Sequence, residues 1–237
     1  MSNSRLISYS KMTPCCYKPR AYKIEKITIH HMAGNSTVEE CGALFAIPSR
    51  QVSSNYGIGS DGRIALYVDE CNGPWTSSNY DNDNRAVTIE VANCSGAPDW
   101  KVSDEAYKSL IALCVDICRR NGIKKLNYTG DKSGNLTMHK WFAATACPGP
   151  YLEKKFPEIA KLVNAELAKD GERYQVTVNS LPIRKSASKS SAIVGRVKKG
   201  IYTITEKKTS SGYTWGRLKS GAGWICLNIN KDYCKKV

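Results

Sequence analysis

The chain has only three histidines, His30, His31 and His139, and their company suggests metal chemistry. His139 opens the stretch "HKWFAATACPGP", in which Cys147 follows eight residues later. On a continuous helix that separation is about 12 Å along the axis. Two donors to one zinc ion each lie only about 2.0–2.3 Å from it. If both residues serve one ion, the segment must fold back as a loop; otherwise it holds a surface histidine and a buried thiol. Trp141 and Phe142 are suited to anchoring such a loop in a core, and Pro148 with Pro150 to fixing its exit.

A third donor is available in "ITIHHMAG". Adjacent residues on a strand point to opposite faces, so one of His30 and His31 enters a given site and the other is packed or solvated. Spacing alone does not choose between them. One histidine from this pair with His139 and Cys147 makes three protein ligands and leaves a coordination position open, the arrangement of a catalytic zinc ion. Such an ion polarises a carbonyl and acidifies a water molecule. Hydrolysis also needs a carboxylate to accept the water's proton. Glu90 in "RAVTIEVAN" is suited to this, its competing role being a surface carboxylate. Thr145, two residues before Cys147, can donate a hydrogen bond to an oxyanion or simply stabilise the loop.

The elements that must hold these groups are readable from periodicity. A strand runs through 22–34 and ends at Gly34. A helix over 36–46 carries a capping box from Ser36 to Glu39. Residues 53–68 form a hairpin turning at Asp61-Gly62. A strand spans 85–93, with Val87, Ile89 and Val91 on one face and Thr88 and Glu90 on the other. The strongest helix is 103–122, capped by Ser103 and stopped by Gly122. A last helix, 157–170, starts with Pro157 in its first turn. Strands mixed with helices make residues 1–168 an α/β or α+β domain. Residues 169–175 read as a linker. Residues 176–237, with short β-like runs between Gly and Ser turns, read as a small all-β barrel.

Composition narrows the function classes. No run of apolar residues is long enough to span a bilayer. The N-terminal residues lack the apolar core of a signal peptide, which points to synthesis in the cytoplasm without ordinary export. Of ten cysteines none forms a C-x2-C pair, which excludes a four-cysteine zinc ribbon, and most are expected to be small, buried, reduced thiols. Charge is strongly localised. The chain carries 35 Lys+Arg and 21 Asp+Glu, but 14 of the basic and only 3 of the acidic residues lie within 171–237. A basic terminal segment of this kind favours a polyanionic partner: nucleic acid, anionic lipid or an anionic wall polymer.

"ITIHHMAG", "SSNYGIGSDGRI", "AVTIEVAN" and "MHKWFAATACPG", in this order, resemble the type 2 N-acetylmuramoyl-L-alanine amidases, which include phage endolysins and bacterial autolysins. The wording is especially similar to endolysins and autolysins of clostridia and their phages. The resemblance spans roughly residues 10–165 and implies a mixed central β-sheet flanked by helices. It implies one Zn²⁺ held by His30, His139 and Cys147, the first histidine of the pair being the family ligand. It makes Glu90 the general base and Thr145 a helper of the transition state, and sets Tyr56 and His31 near the cleft as substrate contacts. Asn55 and Thr76 stand where the family often has histidine, which touches substrate contacts but no ligand.

"NSLPIRKSASKSSAIVGRVKKG" with "YTWGRLKSGAGWI" resembles a bacterial SH3 domain through Leu181, Arg184, Gly200, Trp215, Gly223 and Trp224. That resemblance implies a wall-binding module, with Trp215 and Arg184 offered as contacts and Trp224 as core. The expected protein is therefore a monomeric peptidoglycan hydrolase, reaching the wall after holin release or lysis, with peptidoglycan and its anionic polymers as partners and neither nucleic acid nor membrane. The competing readings are a non-catalytic peptidoglycan-binding protein, whose relatives typically lack the cysteine ligand, and a nucleic-acid binder using Tyr202, Tyr213 and Trp215.

Overall fold

The computed structural model describes residues 2–230 and 233–237. The chain divides into two compact units, Met1–Asn164 and Ala165–Val237. Along the first run β1 (Tyr9–Ser10), β2 (Cys16–Tyr17), β3 (Lys26–His31), α1 (Val38–Phe45), β4 (Tyr56–Ile58), β5 (Ile64–Leu66), β6 (Gly73–Pro74), α2 (Tyr80–Arg85), β7 (Ala86–Val91), α3 (Asp104–Asn121) and β8 (Leu136–Met138), followed by α4 (Gly149–Ala168). Six strands form a mixed sheet in the order β1-β5-β4-β7-β3-β8, and β2 pairs with β6 apart from it. The mixed sheet with its helices is the expected α/β class.

At the centre of this sheet β3 runs parallel to β7 on one side and to β8 on the other. Central parallel strands are covered on both faces and so read as continuous buried runs. Ile27, Thr28, Ile29 and His30 are all fully buried, as are Val87, Thr88 and Ile89. The threonine face, read from sequence as the polar side, is thus interior. Its hydroxyls are satisfied there: Thr28 Oγ1 lies 2.8 Å from Thr137 Oγ1, and Asn82 Nδ2 donates to Thr28 Oγ1 at 3.0 Å. Thr88 Oγ1 meets Ser54 Oγ and Thr76 Oγ1 at 3.0 and 2.8 Å.

Helix boundaries follow their caps. α3 starts after Ser103, which accepts from Ala106 N, and ends at Gly122 with φ +71°. Its buried face, including Ala106, Leu110, Leu113, Cys114 and Ile117, recurs every three or four residues. The capping box on α1 sits one residue later than expected. Thr37, not Ser36, accepts from Glu40 N while Glu40 Oε2 accepts from Thr37 N, because Thr37 carries the extended backbone that an N-cap needs. α4 likewise begins eight residues before Pro157, at Gly149. Pro157 lies inside it, where its ring removes one backbone hydrogen bond, while Leu152, Phe156, Ile159 and Val163 hold the buried face. Seven of the ten thiols are buried. Among the described residues no helix is long and apolar enough to cross a membrane.

Arg20, in the loop between β2 and β3, ties the surrounding segments together. It is buried, and its guanidinium donates to the carbonyls of Glu70, Asp83, Ala86 and Asn72 at 2.9–3.1 Å. Ala86 is the first residue of β7, so this fork fixes the strand that carries Glu90. Burial brings the guanidinium down to about 10, still charged at neutral pH.

In the second unit β9 (Glu172–Val176), β10 (Leu181–Arg184), β11 (Ile193–Val197), β12 (Gly200–Ser210), β13 (Tyr213–Leu218), β14 (Trp224–Cys226) and β15 (Cys234–Lys236) form one antiparallel sheet. β9 occupies most of the segment expected to be a linker. Hydrogen bonding to β12 on one side and β15 on the other makes it a strand. Every strand sends a residue into one cluster, among them Val176, Leu181, Val197, Ile204, Leu218, Ile225 and Cys234. A sheet can share one core only by curling around it. That is consistent with the small barrel expected, although among the described residues no ladder joins β11 to β15.

Arg20→Met is expected to destabilise the chain by roughly 3–5 kcal/mol, since it strands several buried carbonyls. Arg20→Lys keeps the charge but not the fork and should recover only part of that loss. Urea unfolding of the two variants checks both.

Candidate metal centre

The ladder between β3 and β7 sets His30 directly opposite Glu90, and the ladder between β3 and β8 sets Ile29 opposite Met138. His139 follows Met138 at once, so it emerges beside His30. Three parallel strands therefore deliver Glu90, His30 and His139 side by side at their carboxyl ends, where open α/β sheets bind ligands.

Cys147 arrives by the loop that its spacing from His139 demands. Residues 139–141 make one tight helical turn, and Lys140 N donates to Cys147 O at 3.1 Å, closing the loop on itself. Trp141 stacks on Tyr128 at 6.1 Å and meets Phe156 edge-on at 6.5 Å. Thr145 Oγ1 accepts from Cys147 N at 3.2 Å. His31 N donates to Cys147 Sγ at 3.4 Å.

The ligand atoms of His30, His139 and Cys147 all lie within 4.8 Å of one another. Cys147 Sγ is 3.6 Å from His30 Nδ1, and the two imidazole rings are 4.7 Å apart. His30 Nε2, His139 Nε2 and Glu90 Oε2 are buried with no hydrogen-bond partner. Buried polar atoms are nearly always satisfied, so unpartnered atoms on three residues of one neighbourhood suit a place built for a further group. Burial pushes His30 well below its usual range and lowers His139, giving the neutral imidazoles that a metal requires. Burial also pushes the Cys147 thiol up, and the charge of Glu90 pushes it further; a thiolate here needs a cation beside it. Two imidazoles and one thiolate are a zinc donor set, and the residues present fit the ion.

Glu90 Oε1 stands 3.9 Å from His30 Nδ1, with its side chain 16% exposed. It is not a surface carboxylate. Burial raises its carboxyl to about 8; a cation held beside it would favour the ionised form that accepts a proton. Thr145 is exposed. Its oxygen accepts from Cys147 N, and its own O–H stays available to a second acceptor.

Two expected contacts are corrected. Tyr56 has no exposed surface; its hydroxyl accepts from Ser4 N and donates to Glu70 Oε1 at 2.7 Å. It supports the sheet instead of facing the cleft, because β4 is interior on both sides. Asn55 is likewise buried, accepting from Thr88 N and donating to Val68 O. In the second unit Trp215 is 2% exposed and packs on Ala187 and Cys226, whereas Trp224 is half-buried at the edge of that cluster. Trp215 is thus the covered ring and Trp224 the more accessible one, and Arg184 is half-buried with Nη1 donating to Ser191 O at 2.6 Å.

Two residues beside the centre escaped the reading of the sequence. Trp100 meets the His31 ring edge-on at 5.5 Å. Gly149 has φ +82°, and a Cβ there would come within 3.0 Å of the His31 ring and 3.2 Å of Trp100. The Pro-Gly-Pro run carried that signal, since glycine marks close approach as well as turns.

A family profile described as N-acetylmuramoyl-L-alanine amidase matches residues 20–150. Among solved structures, a mutant of PlyL is similar over 66% of this chain and 98% of its own, at 13% identity and a TM-score of 0.54. AmiA of Staphylococcus aureus, solved with its ligand, is similar over 70% of this chain and 85% of its own, at 17% identity and 0.53. A mutant endolysin from Bacillus subtilis follows over 66% and 99%, at 15% identity and 0.50. At these identities the likeness is one of fold. No curated protein matches the chain.

Cobalt(II) added to chelator-treated protein is expected to give thiolate charge-transfer absorption. Cys147→Ser should remove the band, and His139→Ala should weaken binding by about 10–100-fold or more. A band that survives Cys147→Ser would exclude the thiol as a ligand.

Proposed function

Because the chain belongs to the N-acetylmuramoyl-L-alanine amidase family, and so acts on peptidoglycan, we propose that His30, His139 and Cys147 hold one zinc ion at the site of cleavage. The bond cut joins the lactyl group of N-acetylmuramic acid to L-alanine. Zinc bound there would polarise the scissile carbonyl and acidify the attacking water. The single observation that carries the reading is the convergence of ligand atoms of His30, His139 and Cys147 within 4.8 Å of one another, with Glu90 Oε1 3.9 Å from His30 Nδ1.

Glu90 accepts the proton of the attacking water and returns it to the leaving amine. Its place opposite His30 in the ladder keeps the carboxylate beside the cluster without making it one of the three ligands. His31 holds Cys147 in place through its backbone N–H, and its ring, braced by Trp100, borders the site as a substrate contact. Thr145 donates its hydroxyl proton to the oxygen that gains charge, while its lone pair keeps Cys147 N in place. The burial of Glu90 and His30 strengthens these interactions, since charges act more strongly away from water.

The second unit retains the enzyme on the wall. Its 14 Lys+Arg against 3 Asp+Glu within residues 171–237 support attraction to anionic wall polymers. Release by holin or lysis is the route to the wall that goes with this reading.

Digestion of purified walls tests the chemistry. New L-alanine amino termini without new reducing sugars are expected, and new reducing ends would refute the assignment. Glu90→Gln should lower kcat by about 10²–10⁴-fold while leaving the cobalt spectrum in place. Full activity in Glu90→Gln would remove Glu90 from the mechanism.

A further inference from the structure

The sheet of the second unit has two unlike faces. One carries the shared apolar core. On the other, strand pairing lines up a row of different chemistry. Trp224 on β14 is directly opposite Arg184 on β10 and directly opposite Arg217 on β13. Opposed residues in antiparallel strands share a face, with Cβ atoms about 4.5–5.5 Å apart. Trp224 thus stands between two arginine positions.

The row continues along β13. Tyr213, two residues before Trp215 and four before Arg217, shares this face, and Lys189 Nζ lies 3.7 Å above its ring centroid. Tyr213 and Trp224 both pack against the Ala187–Trp215–Cys226 cluster yet keep part of their surface exposed. Trp215 beneath them has a buried indole N–H without a partner. Glu206, opposite Arg217 on β12, approaches it at 3.5 Å with both side chains more than half exposed. Among the described residues, one exposed carboxylate against Arg184, Arg217 and Lys189 leaves the face cationic.

We propose that this face, centred on Trp224 between Arg184 and Arg217, is a binding site for a phosphodiester-linked anionic polymer of the cell wall. The inference rests on the amidase reading only in placing the protein at a wall. Guanidinium forks match phosphate oxygens in pairs, while the exposed edges of Trp224 and Tyr213 cover the apolar carbons between successive phosphates. Aromatic rings between cations suit a chain that alternates charged and apolar segments better than they suit a uniformly polar one. The two contacts expected from the sequence both lie on this face by strand alternation, Arg184 half-buried and Trp215 covered within the Ala187–Trp215–Cys226 cluster.

The test uses the full chain. Arg184→Gln/Arg217→Gln is compared with Lys198→Gln/Lys199→Gln, a pair in the β11–β12 turn with the same loss of charge. Pelleting with purified walls is measured alongside amide cleavage of a soluble muropeptide and thermal unfolding. The arginine pair should weaken pelleting by about tenfold, the lysine pair by much less, with muropeptide cleavage and unfolding temperature unchanged in both. Walls stripped of phosphate polymers by mild acid should bind all three proteins equally weakly. Equal losses from the two pairs would overturn the site, since charge alone would then explain binding. Undiminished binding to stripped walls would overturn the ligand in favour of the peptidoglycan peptide, and tighter binding to duplex DNA than to isolated wall polymer would overturn it in favour of nucleic acid. Failure of the amidase reading appears separately, as no cleavage of the muropeptide by the unmodified chain.

Discussion

The register of three parallel strands is the constraint on which the site depends. His30 faces Glu90 across one ladder, and Ile29 faces Met138 across the other. Side chains on a strand alternate with period two, so a slip of one residue would send His30 to the opposite face. What prevents the slip is burial on both faces. Ile27, Ile29 and Ile89 are fully inside on one face and Thr28, Thr88 and Thr137 on the other. Displacement by one place would put isoleucine among hydroxyls and threonine among aliphatic groups.

The buried threonine strip also explains why the site lies where it does. Its members bond to one another and to Asn82, Ser54 and Thr76. Continued two residues further along the same face, the strip reaches His30 and Glu90, and there the satisfaction stops. Desolvating a polar atom without a partner costs about 1–3 kcal/mol, a cost the fold bears at this point and not along the rest of the strip. The fork of Arg20 holds the start of β7, and Glu70 pairs with Arg120 at 2.6 Å in the adjoining loop. The proposed zinc ligands and base are thus held apart by their surroundings in an arrangement that the chain would not choose for its own stability.

The candidate site was more legible in the sequence than parts of the fold. A distance of eight residues between His139 and Cys147 is incompatible with a shared ion on a helix, so a shared ion required the folded-back loop that Lys140 N and Cys147 O close. Glu90 was legible as a carboxylate whose neighbours on its face of the strand, Thr88 and Ala92, are uncharged. Cap positions were legible only to within a residue, since Ser36 and Thr37 offer the same chemistry and the backbone decides between them. The start of α4 was hidden because Pro157 imitates a first-turn proline. Tyr56, Trp215 and Trp224 could not be sorted, because an aromatic ring on a short strand has the same local pattern whether it faces a ligand or a core. Their burial depends on elements distant in sequence, such as Glu70 for Tyr56 and the loop around Ala187 for Trp215.

Placing charge and chemistry in separate stretches of the chain has a physical consequence. The proposed catalytic groups sit in a low-dielectric site where screening by salt is slight, whereas the arginines and lysines of the second unit are exposed and act through a field that decays over about 8–10 Å at ordinary ionic strength. The proposed retention on the wall is then the salt-sensitive step, and bond cleavage is not. Attraction carried by exposed charges is also weak contact by contact, each exposed pair contributing at most about 1 kcal/mol. Many weak contacts hold a protein to a polymer while letting any one of them break and re-form. An enzyme that must find a new amide bond after every cleavage gains from that arrangement. A single tight, buried clamp would keep it at a bond already cut, so exposed cations around a half-buried indole suit a hydrolase that moves over its substrate.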